Sequence, residues 1–405
     1  MQRPALTVMV VTVPVVLVAL VGGAFWATCT GPTPVIESQP VCPAEALGER
    51  FGTKHLMWGG QMTDESFGTH AFGLRYRYVA GPVPSETCDD CRACDIDGVP
   101  CANPDGCGWW GCWQHDILPP GRVASDFASN NNVPTLITYY TWLAVSGGVE
   151  GESELAALAD EDRVASWLGD LRFFTQTLSD QGPVIVHMEP DLLGFLHKSG
   201  RAPSDIPVAL SGVPECADLP NTAASLMPCW GEIVDEYAPE ALLGIHVSAW
   251  GHGADLMRHP GVLNPVEHAT QTASFLQSAN LTGDLLVVEA SDRDSGFNGQ
   301  PWTDTQPSLD RALIWASTLT KTTELPHLWW QIPMGTPELD NTCGRYVDDR
   351  VLRFVEARHA VAAAGAIGVV FGAGTECMTS PETDDGAFLR AIAPALSDPT
   401  PLCGP

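Results

Sequence analysis

The stretch Val184–Gly194, VIVHMEPDLLG, carries the densest chemistry in the chain: an apolar, β-branched run that ends abruptly in Glu189, Pro190 and Asp191. A strand covered on both faces reads this way when it emerges at a rim. On an extended backbone, residues two apart leave on the same side, so Glu189, Asp191 and His187 are expected to share a face. Two carboxylates crowded at a strand end repel each other, so either one of them keeps its proton near neutral pH or a cation sits between them. Paired carboxyls of this kind serve as general acid and base.

Eight apolar strands are needed to position such a rim, and eight can be read. They lie at Leu56–Gln61, Phe72–Gly81, Val133–Trp142, the stretch from Val184, Leu242–Gly251, Leu285–Gly296, His327–Gly335 and Ala366–Gly374. Helical spacing at Glu154–Leu178, Val266–Asn280, Leu309–Thr323 and Arg350–Gly365 falls between the later ones. This alternation predicts an α/β fold with a parallel sheet closed as a (β/α)8 TIM-type barrel. An open doubly wound sheet would show a Gly-rich phosphate turn after its first strand, and Gly59–Gly60 is too little for that.

Chemistry in such a barrel collects at the C-terminal ends of the strands. Catalytic candidates are Glu189, Asp191, Glu289 and Asp292. Substrate-binding candidates are Trp58, Arg75, Tyr139, Tyr140, His187, His246, Trp250, Trp330 and Gln331. Because Trp329 and Trp330 alternate, only one of them can line a pocket. Carboxylates among aromatic and amide side chains are what glycoside hydrolysis uses: one acid protonates the leaving oxygen, a second acts as base or nucleophile, and aromatic faces cover sugar rings. Gly-x-Ser-x-Gly and His-Glu-x-x-His are both absent. Asp292 and Asp294 form a D-x-D-x-G fragment of a calcium loop without its remaining ligands, so neither metal nor cofactor is expected.

VIVHMEPDLLGFL resembles the strand of glycoside hydrolase family 6, the cellobiohydrolases and endoglucanases, that ends in apolar-Glu-Pro-Asp-x-Leu. That resemblance implies a catalytic acid at Asp191. The same stretch is similar to the strand-four end of the retaining (β/α)8 glycosidases, which would put the acid/base at Glu189; their strand-seven glutamate is Gln331 here. The expected activity is hydrolysis of O-glycosidic bonds in a poly- or oligosaccharide. A non-catalytic carbohydrate-binding envelope protein, or a metal-dependent hydrolase or lyase, would share the rim.

Composition narrows the setting. The net charge is −29, and only three of the 20 basic residues are lysine. Such a surface repels phosphate backbones and excludes nucleic acid as a partner. Residues 1–29 read as a signal peptide or membrane anchor, with Cys29 open to lipidation, and 30–52 as a spacer before one catalytic domain, 53–405. Of the 13 cysteines, six fall in Cys88–Cys112, within a Cys-rich insertion at 82–120 after strand two. Exported chains use such cysteines as disulfides, here stapling a loop in which Trp109, Trp110 and Trp113 are placed as a lid over the rim. The setting expected is secretion or the cell envelope.

Overall fold

The computed structural model describes residues 42–92, 107–113, 122–129, 133–257, 264–289, 293–298, 308–372 and 377–404. Eight parallel strands close into a barrel in sequence order: β1 (Met57–Gly60), β2 (Leu74–Ala80), β3 (Thr135–Tyr140), β4 (Val184–Met188), β5 (Leu242–Val247), β6 (Leu285–Glu289), β7 (His327–Ile332) and β8 (Ala366–Phe371). Gly59 of β1 stands opposite Leu74 of β2 on one side and Val370 of β8 on the other, so no strand keeps a free edge. A Cβ on Gly59 would sit 1.8 Å from the Leu74 carbonyl oxygen, which is why only glycine allows β1 and β2 to pair there.

The eight strands predicted from apolar runs are all present, each ending where polar residues begin. β4, β5, β7 and β8 are buried along their whole length, as expected for strands with side chains inside the barrel on one face and helices on the other. Local signals start the helices. Asp160 accepts from the Arg163 N–H at 3.1 Å to cap Glu161–Gln176. Asn264 caps Pro265–Ser278, with proline at the first helical position.

The stretch read as a spacer contains the helix Pro43–Arg50, joined to the chain's far end. Cys42 is disulfide-bonded to Cys403, and the Leu402 N–H donates to the Lys54 carbonyl at 3.0 Å. Residues 1–29 lie outside the described residues; among the described residues no helix is long and apolar enough to cross a membrane.

After β2, Cys88–Cys107 and Cys91–Cys112 staple the Cys-rich insertion, while Cys94 and Cys101 lie outside the described residues. Its tryptophans form no lid. Trp109 and Trp110 are buried against Phe173 of the helix Glu161–Gln176, and both indole N–H groups donate to Asp170, at 2.7 and 2.9 Å. The buried Asp170 carboxylate also accepts from the Tyr139 hydroxyl at 2.8 Å, and so clamps the insertion to the outside of the barrel.

A cross-link between residues 361 apart restricts the unfolded chain far more than a local one, about 6 kcal/mol in the chain-entropy picture. Replacing Cys42 and Cys403 by serine is expected to cost roughly 2–5 kcal/mol and lower Tm by several degrees, as read by calorimetry without reductant.

Candidate active site

Trp330 forms the floor of the barrel mouth. Its ring meets Tyr76 and Tyr78 of β2, His187 of β4 and His246 of β5 edge-on, with centroids 4.9–6.1 Å away. Its indole N–H crosses the barrel to the Thr138 hydroxyl of β3 at 3.2 Å. Trp329 points the other way, onto Phe354 of the outer helix Arg350–Glu356, as strand alternation requires. Between Trp329 and Ile332 the β7–β8 register shifts, and Gln331 takes a φ of 54°. This irregularity turns Gln331 inward as well, where its Oε1 accepts from the Tyr78 hydroxyl at 3.2 Å. Its Nε2 is buried with no partner among the described residues.

Above this floor three strand ends converge. One oxygen each of Asp191 and Glu289 and one ring nitrogen of His246 lie within 4.8 Å of one another. Glu289, the last residue of β6, accepts from the Trp250 indole N–H at 2.9 Å. Trp250 is half-buried between Phe195, with ring centroids 4.8 Å apart, and the Lys198 ammonium, 5.7 Å from its ring. Asp191 stands at the start of the helix Leu192–Lys198 without capping it; instead the Tyr140 hydroxyl faces its Oδ2 at 3.5 Å. Tyr78 is half-buried beneath, and burial first, then Tyr76 and the Asp191 charge, hold its hydroxyl proton on.

Glu189 is not the partner of Asp191. The two take φ values of 36° and 76°, so the backbone on either side of Pro190 is not extended and the two-residue rule fails. Glu189 turns away from the mouth and is fully buried. Its Oε1 accepts from the backbone N–H groups of Thr141 and Trp142 at 3.1 and 3.0 Å, and from the Trp167 indole N–H at 2.8 Å. Burial pushes its carboxyl up to about 8, against the three N–H donors that pull it down.

Other expected residues are likewise turned outward. Trp58 stacks on Phe371, which packs against Phe388 of the outer helix Ala387–Ser397. Tyr139 spends its hydroxyl on Asp170, and it is the adjacent Tyr140 that faces the mouth. Arg75 is paired with Asp64 and covered by the rings of Phe67 and Phe127. Together with Gln61, Tyr76 and Arg77 it lines a cavity of about 690 Å3 beside β1 and β2. His187 faces the interior but reaches the acids only through His246. Asp292 lies outside the described residues. Asp294 holds loops, accepting from the backbone N–H groups of Gly335 and Thr379, both at 2.9 Å.

Glu154 was not expected. It is 1% exposed and its Oε2 has no partner among the described residues; burial first, then the charges of Asp191 and Glu150, push its carboxyl up to about 7. Nothing in the helical spacing of its segment distinguishes it from the solvent-facing acids nearby. Among the described residues the other triple of closely spaced donors, Cys88, Cys107 and Cys112, is taken up by disulfides.

No protein-family model matches this sequence, and no curated protein matches it. Among solved structures it is similar to an intracellular xylanase from Thermoanaerobacterium saccharolyticum, at 11% identity over 80% of this chain and 87% of that one, with a TM-score of 0.39. It is also similar to a glycoside hydrolase family 5 protein from Bacteroides vulgatus, at 11% identity over 78% of this chain and 58% of that one, TM-score 0.38. A psychrophilic family 10 endo-beta-1,4-xylanase is similar at 10% identity over 80% and 89%, TM-score 0.40.

A carboxyl whose pKa rises on folding binds its proton more tightly in the folded chain. The contribution of Glu189 is therefore complete below about pH 4.5 and is lost as the pH rises through about 8. Glu189→Gln, which mimics the protonated acid, is expected to gain on the parent chain by several kcal/mol between pH 5 and pH 8 in urea unfolding. A stability difference that stays flat across that window would refute the assignment.

Proposed function

We propose that this chain is a glycoside hydrolase acting on a poly- or oligosaccharide, with Asp191 as general acid and base and Glu289 as nucleophile. The observation that carries this reading is the approach of the two carboxylates, with oxygens within 4.8 Å, above an aromatic floor. Retaining glycosidases hold their carboxyl groups about 5–5.5 Å apart, whereas inverting ones leave about 6.5–9.5 Å for a water.

The environments divide the roles. The Trp250 N–H bonded to Glu289 stabilises that carboxylate in its ionised form, which suits a nucleophile. Asp191 sits by Tyr140 in a neighbourhood that also holds Glu150, Glu154 and Glu189, an acidic setting that suits the proton-carrying role. Asp191 then protonates the leaving oxygen while Glu289 attacks the anomeric carbon. In the second half, Asp191 takes a proton from the water that releases the sugar. Trp250 offers a sugar platform, and Gln331 an amide N–H pair to substrate oxygens.

Five disulfides among the described residues fit an oxidising compartment, and we place the enzyme outside the cytoplasm.

Asp191→Asn and Glu289→Gln are each expected to lower kcat on the cognate glycan by roughly a thousandfold with the fold intact by circular dichroism. Proton NMR of the first product formed should show retained anomeric configuration; inversion, or full activity in both variants, would refute the assignment. Trp250→Phe keeps a stacking face but loses the N–H to Glu289, so kcat should fall about tenfold at unchanged KM. Trp250→Ala should raise KM as well.

A further inference from the structure

The spacing of Asp191, His246 and Glu289 is that of a divalent-metal site with two oxygen donors and one nitrogen donor. Whether His246 can serve as a ligand depends on which ring nitrogen carries its proton, and a line of hydrogen bonds through the barrel decides that. The Trp330 indole N–H meets the Thr138 hydroxyl at 3.2 Å, and that hydroxyl meets His187 Nδ1 at 2.8 Å. His187 Nε2 meets His246 Nδ1 at 3.0 Å, and His246 Nε2 meets the Ser248 hydroxyl at 3.1 Å. Thr138, His187 and His246 are completely buried. Both imidazoles are fully buried and their partners along the line are uncharged hydroxyls and each other, which disfavours the charged form, so each ring carries one proton.

Only two arrangements satisfy the interior of the line. In one, every donor points toward Ser248: Trp330 to Thr138, Thr138 to His187 Nδ1, His187 Nε2–H to His246 Nδ1, and His246 Nε2–H to Ser248. In the other, both imidazoles are reversed. Thr138 then accepts from both Trp330 and His187, and its own hydroxyl hydrogen has no acceptor in a fully buried position. An indole nitrogen only donates, so Trp330 cannot relieve this. Leaving a buried donor unmade weighs against the reversed arrangement. At the opposite end the balance differs. Ser248 borders a cavity of about 10 Å3, close to the space of one water, so its hydroxyl hydrogen can be satisfied there. The sealed end of the line sets its direction, and the open end tolerates it.

We propose that Thr138 and His187 are positioning residues that act through His246: with Nδ1 accepting from His187 and Nε2–H donating to Ser248, the ring keeps no free lone pair beside Asp191 and Glu289, and the cluster rejects divalent metal. Each bond in the line polarises the next, in the direction of Ser248. The site thereby stays open to the chemistry of its carboxylates, which a bound cation would tie up. The inference concerns the tautomer and the metal, and stands whether or not the hydrolase reading does.

The test uses the full chain with 15N-labelled histidine. The wild-type spectrum should show both buried imidazoles protonated on Nε2 and unchanged by one equivalent of zinc ion. Thr138→Val removes the bias, so mixed tautomers should appear. Zinc affinity, measured by calorimetry, should rise on the order of tenfold. The gain should vanish when Asp191→Asn and Glu289→Gln are added. Thr138→Ser restores the hydroxyl and should return both readouts to wild type. A wild-type His246 protonated on Nδ1, or tight wild-type zinc binding lost in that double variant, would overturn the proposal; the wild-type measurement decides this even if Thr138→Val does not fold.

Discussion

The backbone break at Glu189–Pro190–Asp191 is the constraint on which the site depends. Two non-glycine residues with positive φ flank the proline, a conformation that costs on the order of 1–3 kcal/mol for each. The three N–H donors around Glu189 Oε1 offset that cost by gripping its carboxyl from the β3 corner and the helix Glu161–Gln176. Glu189 is therefore the anchor of the turn, and Asp191 is what the turn presents. Without the reversal, β4 would send both acids to the same side and leave Glu289 without a facing partner.

A second constraint follows from the first. Asp191 and Glu289 stand above a space that side-chain rings fill. Trp330 takes up the centre of the barrel, and the two tyrosines of β2 and the two histidines of β4 and β5 close around it. In such surroundings electrostatic interactions are weakly screened, so small differences in hydrogen bonding suffice to give two carboxyls different roles.

The barrel was legible because its signals are periodic. Apolar strands of similar length alternate with amphipathic helices, and the rule that Trp329 and Trp330 must part company holds in the fold. Facing was much harder to read. In Leu74–Ala80 arginines alternate with tyrosines, and either set could turn inward. Arginine went outward because Phe67 and Phe127 cover the guanidinium of Arg75 and Asp64 neutralises it, which composition does not reveal. Tyr139 and Tyr140 pose the same ambiguity, resolved by Asp170 from a distant helix. The error at Glu189 has another origin: the spacing rule presumes an extended chain, and two positive φ values at non-glycine residues are the exception that sequence gives least warning of. The pairing of His187 with His246 required strand register, which the apolar pattern leaves open.

The bond between Cys42 and Cys403 turns nearly the whole described fold into a covalent ring. A protease that nicks one surface loop leaves both fragments tethered as one molecule, with the sheet still closed around its floor. That topology separates chain cleavage from loss of the folded body, because two cuts within the ring are needed before any piece can leave.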